Sequence, residues 1–246
     1  MIKLVDVTKR FRDKIALNKI NLQIKRGETL AIIGGSGSGK STLLRILIGL
    51  TRPTEGEVWI DGRDVSRISD SEWDKVRLNM GMVFQYSALF DSMSVGENVA
   101  FGLREHRDLP EEKIQAIVKE KLNLVGLDGV ENMMPNELSG GMKKRVGLAR
   151  AIAIEPSIIF YDEPSSGLDP VTTSRIDELI VSTQKRLNVT SVVVTHDMVS
   201  ACHIADRIAM VYEGELVAVD TTENFRHLDD PRIRAFFRQV NDDEER

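Results

Sequence analysis

"TLAIIGGSGSGKSTLLRILIGL", residues 29–50, runs from an apolar stretch through a glycine-rich loop into a helically spaced stretch that Gly49 ends. Strand, loop and helix in that order form the unit on which phosphate-binding loops are built. Gly34-x-x-x-x-Gly39-Lys40-Ser41 fits the phosphate-loop pattern in full. Gly34, Gly35, Gly37 and Gly39, with Ser36 and Ser38 between them, let backbone N–H groups wrap phosphate oxygens at a helix start. Lys40 neutralises the β/γ oxygens, and the hydroxyl of Ser41, followed by Thr42, suits Mg2+.

Working outward, "IKLVDV", "INLQI" and "GEVWIDG" alternate apolar and polar residues at period two and predict an antiparallel layer. "SIIFYDEP" (157–164) and "SVVVTHD" (191–197) are near-continuous apolar runs, as expected of strands buried on both faces. Each ends in polar residues. Ligands in open parallel sheets gather beyond the carboxyl ends of the strands, so the loop at 34–40, Asp162-Glu163 and His196 are expected to converge on one crevice. There Asp162 can hold Mg2+ through water, Glu163 can polarise an attacking water, and His196 can donate to a γ-phosphate. "DRIAMVYEGELVAVD" (206–220) predicts a hairpin turning at Glu213-Gly214.

From about 92 to 153 the period changes. Ile114, Ile117, Val118, Leu122 and Val125 recur at helical spacing after Pro110, which predicts a helical lobe inserted into an α/β core. The lobe ends in "LSGGMKKRVGLARAI" (138–152), a Ser-Gly-Gly turn ahead of a basic, helix-favouring run. Such a turn exposes unpaired N–H groups at a helix start and is a second place for an anion.

The bulk properties narrow the class. With 246 residues, 41% hydrophobic and 29% charged, the chain can bury a full core. A net charge of −5 provides no basic field for nucleic acid or anionic lipid, so no nucleic-acid partner is expected. The longest apolar stretches, such as "LLRILIGL" with its Arg45, fall short of the roughly 20 residues a spanning helix needs. "MIKLVDVTKRF" alternates like a strand and lacks an apolar signal core, which points to the cytosol. Cys202 is the sole cysteine and excludes an intrachain disulfide.

Taken together, Gly34 to Thr42, Gln85 in "VFQYS", "LSGGM" (138–142), "IIFYDEP", "SGLDP" (166–170) and "THD" (195–197) resemble, in order and spacing, the ATP-binding cassette ATPases of ABC transporters. The resemblance covers residues 1–220 and implies a P-loop NTPase core with an antiparallel β subdomain and an inserted helical subdomain, leaving 221–246 as a C-terminal extension. It further implies ATP and Mg2+ as ligands, a homodimer of ATPase subunits, and integral membrane permease subunits as partners at the cytoplasmic face of the membrane. In that family the Ser-Gly-Gly turn serves the opposite subunit. Ser139, Gly140 and Gly141 would close on the γ-phosphate in the partner's loop, and Asp169 would couple the two sites. Gln85 would contact Mg2+ and the attacking water, His196 the γ-phosphate, and Phe11 would stack on adenine.

Met142 stands where the family commonly has Gln, and it cannot make an amide's hydrogen bonds. Because phosphate binding there rests on Ser139 and backbone, ATPase activity is expected to survive. "LSGGMKKRV" with "SALFDSMSVGENVAFGL" (87–103) is similar to the ATPases of MCE-type lipid transporters. That resemblance implies phospholipid or another lipid as cargo, an MCE-type substrate-binding protein as a further partner, and a groove of Leu89, Phe90, Met93 and Val95 that receives the permease. The alternatives are an ABC importer of a polar solute and an ABC-type switch protein acting on ribosomes or DNA. Beyond the motifs, Asp230-Pro231 starts a helix with Ile233, Phe236, Phe237 and Val240 on one face. Both its own cassette and another subunit are open as the surface that buries that face.

Overall fold

Apolar alternation organises the first sixty residues, as the sequence predicts. The computed structural model describes residues 2–12 and 14–244, with side chains of the terminal helix described as far as Phe237. Strands β1 (Ile2–Phe11) and β2 (Lys14–Ile24) pair antiparallel, and Ile2, Leu4, Val7, Leu17, Ile20, Leu22 and Ile24 turn to the buried face. Next come β3 (Thr29–Ile33), α1 (Lys40–Leu47), β4 (Glu55–Ile60), β5 (Arg63–Asp64) and α2 (Asp70–Arg77). The antiparallel layer has the order β2-β1-β4-β5.

The chain then forms β6 (Met80–Val83), α3 (Val95–His106), α4 (Glu111–Leu124), a 3-10 turn at Pro135–Glu137, α5 (Gly140–Ala153), β7 (Ile158–Asp162) and α6 (Pro170–Leu187). It closes with β8 (Thr190–Thr195), α7 (Met198–Ile204), β9 (Arg207–Tyr212), β10 (Glu215–Thr221), α8 (Thr222–Phe225) and α9 (Pro231–Glu244). Two compact units result, one made by the residues before 74 together with those after 189, the other by Asp74–Val189.

In the first unit β3 lies between β8 and β9 and runs parallel to both. Every residue of β3 and β8 is buried, which explains why these strands read as near-continuous apolar runs. The expected hairpin is present, with Tyr212 opposite Glu215. Ile233 of α9 is 1% exposed and packs with Ala31, Ile33, Met198, Ala201, Ile208, Met210 and Phe225, with Phe236 and Phe237 against the same cluster. The tail helix therefore buries its apolar face on this unit; Val240, expected on that face, lies outside the described side chains.

In the second unit β6 and β7 form a parallel pair, in register from Met80↔Ile158 to Val83↔Tyr161. Three helices supply the expected lobe. Ser94 caps α3 in a capping box with Glu97, Pro110 opens α4, and Ser139 caps α5. Ile114, Val118 and Leu122 are the buried apolar stripe of α4. One expectation is corrected here: Val95 is fully buried and its N–H donates to the Met133 carbonyl, so it is lobe core and does not line a groove. Phe90 remains 41% exposed, with Leu89 and Met93 partly so.

Candidate active site

The phosphate loop leaves β3 at Ile33, whose register partners are Thr195 of β8 and Met210 of β9. The parallel register therefore places Gly34, which follows Ile33, and His196, which follows Thr195, at the same end of the sheet. His196 is exposed there. The loop's shape depends on two close approaches. Gly34 has φ 149°, and a Cβ there would stand 2.1 Å from the Val211 carbonyl oxygen; at Gly39 (φ 117°) it would stand 2.8 Å from the Ala16 carbonyl oxygen. The backbones of β9 at Val211 and β2 at Ala16 admit only glycine at these points.

The lysine and serine of the loop match an anion. Lys40 is 7% exposed and its ammonium donates to the carbonyls of Gly34 (2.7 Å) and Gly35 (3.0 Å), held over the concave side of its own loop. The Ser38 hydroxyl is buried without a hydrogen-bond partner, a costly arrangement that a phosphate oxygen relieves. A cavity of about 540 Å³ opens beside the loop, lined by Gly37 to Thr42, Lys14 to Ala16, Glu213, Gly214 and Phe11. Phe11 is 48% exposed, and the Lys9 ammonium sits 4.9 Å from its ring centroid. Phe11 thus presents an exposed π face at the cavity's edge, the one feature base stacking asks for.

The second unit carries the remaining candidates. Because β6 and β7 are parallel and in register, the loops after Val83 and Tyr161 leave from the same end, and these bear Gln85 and Asp162-Glu163 respectively. Glu163 adopts φ 47°, a left-handed conformation that costs a non-glycine residue about 1 kcal/mol. Gln85 Nε2 donates to Ser166 Oγ at 3.3 Å, joining the glutamine loop to the segment that leads into "SGLDP".

Ser139 Oγ accepts the Met142 N–H at 3.2 Å, so the Ser-Gly-Gly turn is a capped helix start. A Cβ on Gly141 would stand 2.8 Å from Thr172 Cγ2, which keeps this turn close against the start of α6. Asp169 caps α6, accepting from the Thr172 N–H (3.0 Å) and hydroxyl (2.6 Å). These bonds, the hydroxyl first, hold its carboxyl below the usual range. A cavity of about 790 Å³ lies beside Ser139, Gly140, Gly141 and Asp169, with Arg145 and Arg175 on its wall.

Lys144 was not singled out by the sequence. It is 7% exposed, and its ammonium donates to the backbone carbonyls of Gln85 and, at 3.3 Å, Glu163. Burial pushes its pKa down, against the opposing pull of the Glu163 and Asp162 charges. The only signal available in the sequence is the run "KKR" on a helix whose neighbours are apolar.

A glycine loop of this shape between a buried parallel strand and a helix, carrying a buried lysine and a buried hydroxyl without a hydrogen-bond partner, defines a P-loop nucleotide-binding protein. Comparison narrows the class: residues 17–166 match the ABC transporter family, and the chain belongs to that family as its ATP-hydrolysing cassette. It is 42% identical over 98% of its length to an intermembrane phospholipid transport system ATP-binding protein, MlaF, of Haemophilus influenzae, of which it covers 92%. It is 46% identical over 88% of its length to a methionine import ATP-binding protein, MetN, of Carboxydothermus hydrogenoformans, of which it covers 64%. The dimeric ATP-binding cassette MJ0796 bound to ADP and Pi superimposes with a TM-score of 0.82 at 37% identity, covering 90% of this chain and 99% of that one.

Proposed function

We propose that this chain powers a transporter that moves phospholipid or another lipid between membranes of a bacterial envelope, working as a homodimer on integral permease subunits at the cytoplasmic face. The observation that carries the lipid reading is the near end-to-end similarity to a phospholipid-transport ATPase, 98% of this chain on 92% of the relative. The "LSGGMKKRV" signature and the exposed Phe90 beside half-buried Leu89 and Met93 agree with it, the latter as a seat for a permease helix. Among the described residues no helix is long and apolar enough to cross a membrane; in this reading the permease subunits supply the path. An MCE-type substrate-binding protein would complete the assembly.

In this reading, backbone N–H groups from Gly35 to Ser41 and the Ser38 hydroxyl cradle the phosphates of ATP, Lys40 turns from its loop carbonyls to the β/γ oxygens, and Phe11 stacks on adenine. By the family resemblance the Ser41 hydroxyl, the Gln85 amide and, through water, the Asp162 carboxylate would hold Mg2+; oxygen donors with one full charge suit an ion that keeps waters and arrives with phosphate. Bound there, Mg2+ would neutralise charge on the transferring phosphoryl group. Glu163 takes a proton from the attacking water at its carboxylate, and His196 donates to the γ-phosphate. Ser139 and Gly141 close on the γ-phosphate held by the other subunit, and Asp169 links the two sites. ATP then binds the dimer together, and its hydrolysis releases it.

A second reading, an importer of a polar solute, is favoured by the higher identity to the methionine import ATPase, 46% over 218 residues. Affinity purification of the tagged chain from detergent-solubilised membranes of its host separates the two. Recovery with a permease, an MCE-domain protein and phospholipid supports the lipid reading. A solute-binding protein in their place supports the importer, and ribosomes without any permease would overturn both.

A further inference from the structure

Both loops that carry the reacting side chains of the second unit end on one buried ammonium. The parallel register of β6 and β7 brings the loops after Val83 and Tyr161 out at one end, and Lys144 of α5 holds the Gln85 carbonyl and the Glu163 carbonyl there. Hydrogen bonds from a charged donor are the stronger ones, and at 7% exposure this donor is little weakened by water. The two carbonyls it holds need holding. Glu163 sits at φ 47°, and Ser87 (φ 60°) and Ala88 (φ 45°), just past Gln85, are also left-handed. A backbone in that region relaxes unless its surroundings fix it.

The rest of the same α5 face continues the restraint. One turn on, a Cβ at Gly147 would meet the Ser87 carbonyl oxygen at 3.6 Å, and Arg150 donates to the carbonyls of Ala88 (2.7 Å) and Ser87 (2.8 Å). Residues 144, 147 and 150 recur every three positions along one side of the helix. Gly147 and Arg150 restrain the glutamine loop alone, whereas Lys144 restrains it together with the carboxylate loop.

We infer that Lys144 is a positioning residue for ATP hydrolysis, tying the backbones of Gln85 and Glu163 to one point on α5 so that both side chains are presented to the reaction in a fixed relation. The inference rests on the roles proposed above for Gln85 and Glu163. The Lys144 ammonium is spent on the Gln85 and Glu163 carbonyls and lies outside the phosphate loop; losing it leaves that loop's own bonds in place and lets the two reacting groups drift, so it acts on kcat and spares binding.

The test compares Lys144→Met, Lys144→Arg and wild type in the purified full chain. ATPase kcat and KM, the Kd of a fluorescent ATP analogue, and amide hydrogen exchange without nucleotide are measured on each. The expected result for Lys144→Met is a kcat lowered by about 10- to 100-fold with Kd within about threefold of wild type. Exchange should quicken in peptides covering both 84–90 and 162–168 and stay unchanged in α4. Lys144→Arg, which keeps a charged donor, should recover kcat to within about fivefold. A Lys144→Met kcat within twofold of wild type, a parallel loss of kcat and ATP affinity, or exchange raised equally throughout the unit overturns the inference. Should Lys144→Met not fold, Lys144→Gln decides on the same readings, since it keeps a donor without the charge. If wild type itself binds and hydrolyses no ATP, the proposed function fails, and the exchange comparison still decides whether Lys144 ties the two loops.

Discussion

Replacing Ile233 with Ala tests whether the C-terminal helix belongs to its own cassette. Ile233 is 1% exposed and lies among Ile33, Met198, Met210 and Phe225, residues of β3, α7, β9 and α8. The substitution removes three buried carbons, about 2.4 kcal/mol at roughly 0.8 kcal/mol per methylene. The cavity left behind raises the loss to about 3 kcal/mol, within the span of about 2–5 found for buried Ile→Ala changes. With a urea m-value of about 2 kcal/mol/M, the unfolding midpoint of the first unit should fall by roughly 1.5 M. The assay is equilibrium urea unfolding of dilute, nucleotide-free protein followed by circular dichroism. ATP-induced dimerisation of the folded protein, measured by size-exclusion chromatography, should be unchanged. If instead the midpoint moves by less than about 0.3 M while dimerisation is lost, the helix face serves another subunit and the packing argument is wrong.

Gly34→Ala should abolish ATP binding, because its Cβ would stand 2.1 Å from the Val211 carbonyl oxygen and the loop has to move; isothermal titration with ATP and Mg2+ reads this, and wild-type affinity would refute it. Glu163→Gln should keep ATP affinity within about threefold yet slow hydrolysis by 10²-fold or more, so that the dimer persists on size-exclusion with Mg-ATP; near wild-type turnover removes Glu163 as the base. Lys40→Ala should lose both affinity and turnover, while Ser139→Arg should bind ATP and fail at dimer closure, and retained closure in the latter denies the turn its role across the dimer. A one-to-one mixture of those two variants leaves one composite site intact, so ATPase activity above that of either alone is expected if the sites work separately.

Much of this protein is written in local patterns. The phosphate loop was legible because its glycines, lysine and serine lie within eight residues at a recognisable spacing, although the close approaches that require Gly34 and Gly39 come from the distant Val211 and Ala16 carbonyls. The hairpin ending in β10 and the start of α5 at Ser139 were legible for the same reason: a turn or a helix start is a contract between residues a few positions apart. The tail's apolar face could be seen in its spacing as well, but not what would cover it, since Ile233 meets Ala31 and Ile33 some two hundred residues earlier in the chain. Val95 was misplaced because an apolar residue at a helix start reads alike whether it faces the lobe's core or a partner.

Lys144 marks the boundary most sharply. Its sequence neighbourhood describes a basic stretch after a phosphate-binding turn, and charge on a helix is ordinarily solvated. Only the parallel register of β6 with β7 makes two carbonyls available at one point, 59 residues before it and 19 after it in sequence, and only packing of α5 over that point takes its ammonium out of water. Local sequence determined which residues can bind phosphate and turn a helix. Tertiary structure decided which backbone groups a buried charge must satisfy, because a desolvated ammonium has to find acceptors wherever the fold leaves them.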